Sequence, residues 1–164
     1  MESLENRQET KHTFSDFLYW NLTASVPFVT ALVGLYRESV AWMILYLLAA
    51  IGCILLILRF FCSHCPHYTT GSKTLHCMFF WGIPKVFSEN PGPPARTHKA
   101  IALAAPGILA LLPVIALLQQ IPLLVIYALS VGVFLLTVRR YACSRCDYTD
   151  CPVNRAPKGT GPQE

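Results

Sequence analysis

Apolar residues in this chain fall in long uncharged runs separated by short polar breaks, the pattern of helices that cross a membrane. Val40 to Leu58 (VAWMILYLLAAIGCILLIL) is 19 residues without a charge. At 1.5 Å per helical residue it reaches roughly 28 Å, the thickness of a bilayer's hydrocarbon core. Ala100 to Val138 is 39 residues without a charge, about twice what one crossing needs, and Gln119, Gln120 and Pro122 mark a turn in its middle. Pro106 and Pro113 fall in the first half of that run, where neighbouring helices can satisfy the carbonyls a kink frees. Leu22 to Tyr36 has only 15 residues, but Phe17, Leu18, Tyr19 and Trp20 extend it with an aromatic group suited to the headgroup region and leave Asp16 at the interface. The leader before it carries Glu2, Glu5 and Glu9 where a signal peptide would be basic, so this run reads as a span.

The pattern predicts an all-α membrane protein with four transmembrane helices near 17–36, 40–58, 100–118 and 121–138. The chain then divides into an N-terminal arm 1–16, a first transmembrane hairpin 17–58, a Cys/His-rich loop 59–99, a second hairpin 100–138, and a Cys-rich tail 139–164 with a disordered end. Within the loop, CMFFWGIPKVF (77–87) is apolar but too short to cross, and is expected to lie in the interface and press Cys77 towards the bilayer. Composition agrees with this division: 54% hydrophobic and 13% charged over 164 residues is far from the balance of a soluble domain.

Charge adds an orientation. With four spans, the arm, the loop and the tail share one side, and they hold 12 of the 13 Lys and Arg residues; Arg37 alone lies opposite. The positive-inside rule places both termini and the loop in the cytosol, with the plasma (cytoplasmic) membrane as the expected site. Six of the seven cysteines fall on that side, Cys53 being the exception. Thiols stay reduced there, which favours metal binding or redox work over structural disulfides. The sequon at Asn21 would face the cytosol too and escape glycosylation.

The cysteines repeat. A shift of 81 residues lays YLLAAIGCILLILRFFCSHC (46–65) on YALSVGVFLLTVRRYACSRC (127–146), matching Tyr46 with Tyr127, Arg59 with Arg140, and Cys62, Ser63 and Cys65 with Cys143, Ser144 and Cys146. Shared leucines mean little between membrane helices; the Tyr, Arg and Cys coincidences at one offset suggest two pseudo-repeated helical hairpins, each followed by a cytosolic Cys-rich segment. A two-residue spacing lets both sulfurs of a pair face one ion, and sulfur ligands suit zinc or an iron–sulfur cluster. Two arrangements are open. Cys62, Cys65, Cys143 and Cys146 can form one cage that clamps the hairpins together, leaving Cys77 and Cys151 over. Alternatively each half binds through its own three cysteines, with His64, His67 or His76 completing the first site. Cys53, in mid-span, reads as a packing residue. Arg59, Arg139 and Arg140 suit both thiolate neighbours and anchors to anionic headgroups.

The segments CSHCPHY, GIPK (82–85), PGPPAR and CSRCDYTDCPVNRAPK resemble those of a family of small, uncharacterised multi-span membrane proteins with CxHCPxY, GxPK and CxxC–x4–CPxN patterns. The resemblance covers 59–99 and 139–158 and implies no activity. Familiar catalytic signatures are missing from the sequence: no Ser-His-Asp set, no phosphate-binding glycine loop, and no carboxylate inside a span. The expectation is a scaffold or electron-transfer subunit of a membrane complex with a zinc or iron–sulfur site. A membrane thiol-disulfide oxidoreductase and a heavy-metal binding or transport protein are the alternatives. Expected partners are the lipid bilayer and a membrane or cytosolic protein, with no nucleic acid.

Overall fold

In a computed structural model the chain is helical, and the structure describes residues 13–65, 68, 73–90 and 92–143. Helix α1 spans Phe14–Glu38, α2 Val40–Phe60, α3 Arg96–Leu117 and α4 Ile121–Thr137; between α2 and α3, strands β1 (Thr74–His76) and β2 (Trp81–Pro84) pair antiparallel. All four helices are long and apolar enough to cross a membrane, and the chain is a multi-pass membrane protein. The arm before residue 13 and the tail after 143 lie outside the described residues, as do Cys146, Cys151 and His67.

Each helix starts and stops for local reasons. Thr13 caps α1 with a capping box: its hydroxyl and backbone N–H both donate to the Asp16 carboxylate at 2.7 Å, and its oxygen accepts from the Asp16 N–H. The helix therefore begins three residues before the aromatic group that marks it in the sequence. A single residue separates α1 from α2: the Ser39 N–H donates to the Leu35 carbonyl, closing α1, while its hydroxyl accepts from the Ala41 N–H, opening α2. At the other turn on this end, Gln120 precedes α4, with Pro122 in the first turn where its missing N–H costs nothing.

The first helix is the least apolar of the four spans and the most buried. It stands in the middle, packed against α2, α3 and α4, with the pairs α2–α3 and α1–α4 forming the broadest contacts; α2 and α4 occupy the far diagonal and share no extended interface. A helix with three helical neighbours keeps less of its surface for lipid, so its composition can be less apolar, in keeping with the run 22–36 being the weakest of the four in the sequence. Its inner face carries Thr30, Ala31 and Gly34, small residues that let a neighbour approach closely. Leu117 of α3 fills that space: it is fully buried, and a Cβ added to Gly34 would collide with its Cδ2. Around this contact lies the main core of Ala31, Leu35, Tyr46, Leu117 and Tyr127. The Tyr127 hydroxyl donates to the Ala110 carbonyl at 2.6 Å, holding α4 to α3 within the second hairpin, and the Gln120 amide donates to the Gly34 carbonyl at 3.1 Å, joining the second hairpin to the first.

The segment 77–87 is a hairpin arm rather than a helix. Its chain reverses at Cys77–Phe80, and Gly82 adopts φ +74°, a left-handed backbone that suits glycine and interrupts a helix. The hairpin reaches across the open end of the bundle. Phe79 packs against Phe134 of α4 with ring centroids 6.4 Å apart, Trp81 meets Phe14 of α1 at 5.9 Å, and the Asn21 amide donates to the Phe79 carbonyl. The loop has a core of its own, Leu58, Tyr68 and Leu75, ringed by Cys62, Phe80 and Phe87.

Candidate functional site

The end of α2 winds directly into the first cysteine pair. A 3-10 turn at Cys62–His64 follows α2, with the Cys65 N–H donating to the Cys62 carbonyl at 2.9 Å. Three residues per turn bring positions i and i+3 into line, so Cys62 and Cys65 project on one side. The Tyr68 N–H then donates to the Cys65 carbonyl at 2.8 Å, carrying the chain on into the loop's core. There the Tyr68 hydroxyl donates to the Phe87 carbonyl at 2.6 Å and accepts from the Phe87 N–H at 3.1 Å, tying the two arms of the loop together.

Cys77 arrives from the other arm. It opens the hairpin turn, its own N–H donating to the Phe80 carbonyl at 2.9 Å, and the backbone N–H groups of Phe79, Met78 and Phe80 are directed onto its sulfur. A thiol is a weak acceptor and a thiolate a strong one, so three amides on one sulfur favour the anion. Burial opposes them and is the larger effect, pushing the Cys77 thiol above the ordinary thiol range. Burial likewise pushes the Cys62 thiol up, with the Cys77 and Cys65 thiols adding to the effect, and Cys62 packs with Phe80 on the loop's core. The fold thus brings Cys62, Cys65 and Cys77 into one neighbourhood at the end of α2. Their sulfurs have not converged on a point: among the described residues no group of three His, Cys, Asp or Glu is placed to hold a metal ion.

The histidines of the loop are differently employed. The Ser63 hydroxyl donates to the Arg59 carbonyl at 2.6 Å and accepts from His64 Nδ1 at 3.1 Å, and the Asn90 amide donates to His64 Nε2 at 3.2 Å. With its one hydrogen on Arg59, Ser63 leaves only its oxygen for His64, which makes the imidazole a neutral Nδ1–H tautomer with both nitrogens engaged. The Asn90 N–H adds a bond to the Ser63 carbonyl at 3.0 Å. His64 therefore serves as a strut between the two ends of the loop. His76 stacks edge-on to Trp81, centroids 4.8 Å apart, on the exposed side of β1 opposite the buried Leu75. His98, a flanking residue in the sequence, lies in the first turn of α3 with its ring against Phe60 and His64, and its buried Nδ1 has no partner among the described residues. Arg59 extends its guanidinium over Phe60 and Phe87 and so packs the loop.

The second pair leaves its helix differently. Val138–Ala142 is a π-helical turn, and the Cys143 N–H donates five residues back to the Val138 carbonyl at 2.9 Å. One CxxC thus forms a tightened turn and the other follows a widened one, although their sequences match. Cys146 and Cys151, and with them most of the tail's candidate ligands, lie outside the described residues, as does His67 in the loop. Tyr68 and Asn90 are the residues that sequence reasoning passed over. Tyr68 had only its place in CSHCPHY as a signal, and Asn90 none beyond a turn-rich connector.

No family model, no curated protein and no solved structure matches the chain. The site's own geometry is what bears on function.

Proposed function

We propose that this chain is an integral membrane protein carrying a cysteine-rich zinc or iron–sulfur site on its cytosolic face, acting as a scaffold or electron-transfer subunit of a membrane complex. The observation that carries the reading is the packing of Cys62 and Phe80 on one loop core of Leu58, Tyr68 and Leu75, with Cys65 closing the same 3-10 turn as Cys62 and Cys77 opening the hairpin turn that ends at Phe80. A buried sulfur with amides aimed at it is stabilised as an anion once a cation arrives to offset the lost hydration, and metal binding to thiols releases the proton. The excess of basic residues on the side of the loop and tail supports a cytosolic placement. Tyr46 and Tyr127, equivalent under the 81-residue shift, share one core, and the α2–α3 and α1–α4 contacts are counterparts under exchange of the two hairpins. Both features support a pseudo-repeated bundle.

The test is anaerobic purification in detergent, metal analysis and an absorption spectrum. Visible charge-transfer bands with bound iron make the site an iron–sulfur centre; stoichiometric zinc in a colourless protein makes it a scaffold site. A protein that carries no metal and takes up none when zinc or iron is supplied refutes the reading and returns the cysteines to thiol chemistry.

A further inference from the structure

We propose that the hairpin of β1 and β2 is a re-entrant membrane element: its turn, Met78–Phe80, lies at the top of the acyl chains of the loop-side leaflet, against the seam between α1 and α4. The proposal is independent of any metal. Depth is read from the two helices that the turn touches. The Phe79 carbonyl accepts from the Asn21 amide at 3.4 Å, and the Phe79 ring meets Phe134, which also packs on Trp20. Asp16 and Arg139 are the charged residues that close α1 and α4 at this end, and Asn21 and Phe134 each lie five residues inside them, about 7 Å of helix. Side chains tilt towards the N-terminus of their helix, outward for α1 and inward for α4, so the two contacts bracket the depth of Phe79. The polar layer of a leaflet is about 7 Å thick, so the turn lies where the hydrocarbon begins.

Backbone at that depth must find its partners within the protein. The Cys77 N–H donates to the Phe80 carbonyl across the turn, Asn21 reaches the Phe79 carbonyl, and the strands pair with each other beyond it. Met78, Phe79, Phe80 and Trp81 are contiguous, apolar and half-buried, which leaves each with a side not covered by the protein. Lipid is the occupant because that surface continues one that already faces lipid. Phe14, Leu18, Leu22 and Val26 are exposed at every fourth residue of α1, an outward stripe along a span, and Trp81 stacks on Phe14 at the end of it, ring centroids 5.9 Å apart. An aromatic pair at the end of such a stripe suits the headgroup boundary, with the turn below it and the exposed Val86 above.

Photolabelling of the wild-type protein in phosphatidylcholine vesicles tests this without variants. One sample carries a phosphatidylcholine with a diazirine on its acyl chain, a second one with the diazirine on the headgroup, and adducts are mapped by mass spectrometry. The acyl-to-headgroup ratio at 78–80 is expected to match that of Leu18 and Leu22 and to exceed that of Val86. A ratio at 78–80 equal to that of Val86 puts the hairpin on the bilayer surface and overturns re-entry. Adducts at 78–80 from neither probe, with Leu18 and Leu22 labelled, mean that protein or water covers the turn and overturn the lipid contact altogether.

Discussion

Gly34→Ala adds one methyl group where the first hairpin packs against Leu117 of the second. The new Cβ would collide with Leu117 Cδ2 and lie 3.3 Å from its Cγ, and Leu117 is fully buried, with no open side to rotate into. Inserting a methyl into a packed contact costs about 1–3 kcal/mol. Against that, exchanging Gly for Ala inside a helix favours the fold by about 0.8–1 kcal/mol in a water-exposed host. The Gly34 carbonyl also accepts the Gln120 amide at 3.1 Å, so backing α1 away from α3 strains a bond of about 1 kcal/mol. The net expectation is a loss of about 1–2 kcal/mol, read from reversible denaturation in mixed micelles. The double variant Gly34→Ala/Leu117→Ala separates the causes. Leu117→Ala alone should cost about 2–5 kcal/mol through the cavity it leaves, and adding Gly34→Ala to it should be neutral or stabilising because the methyl then has room. If Gly34→Ala alone raises stability by the helix-propensity increment, the close α1–α3 contact is not there and the packing argument is wrong.

Tyr68→Phe removes a hydroxyl that bonds both the carbonyl and the N–H of Phe87, and should loosen the loop by about 1–3 kcal/mol, seen as faster hydrogen exchange at 85–90 with the helices unaffected. Unchanged exchange there would count against Tyr68 as the loop's tie. Orientation is checked by Arg37→Cys, which should label with an impermeant maleimide in intact cells, beside Val86→Cys at an exposed loop position, which should label only after permeabilisation; the reverse pattern inverts the topology. In metal-free protein Cys77 should alkylate slowly near neutral pH and speed up as pH rises beyond the ordinary thiol range, since burial raises its pKa and only the thiolate reacts. Rapid labelling at neutral pH would mean that the three amides outweigh burial.

The four spans were legible because a crossing helix is a local object. About twenty apolar residues with polar ends specify it whatever lies alongside. The expected spans 17–36, 40–58, 100–118 and 121–138 lie within four residues of the helix bounds, and the discrepancies at Phe14 and Arg96 are polar first turns that a hydropathy pattern does not count. The backbone turn that separates Cys62 from Cys65 is equally local, three residues of 3-10 helix. The rest depended on residues far apart in the chain. That α1 is central, that Gly34 accepts Leu117, and that Cys77 lies beside Cys62 are contacts across 83, and 15, residues of sequence, and no window of periodicity contains them. The hairpin at 74–84 was missed for the same reason. Its apolar residues suit an interfacial helix as well as two short strands, and the choice was made by Phe134, Phe14 and Asn21, which supply partners from three other places in the fold. In a membrane, hydrophobicity decides which segments are buried in lipid but not which face of each meets protein, because lipid and leucine are nearly equivalent surroundings. Sequence alone therefore determined where the chain crosses, and shape complementarity between distant residues decided how the crossings pack and which thiols become neighbours.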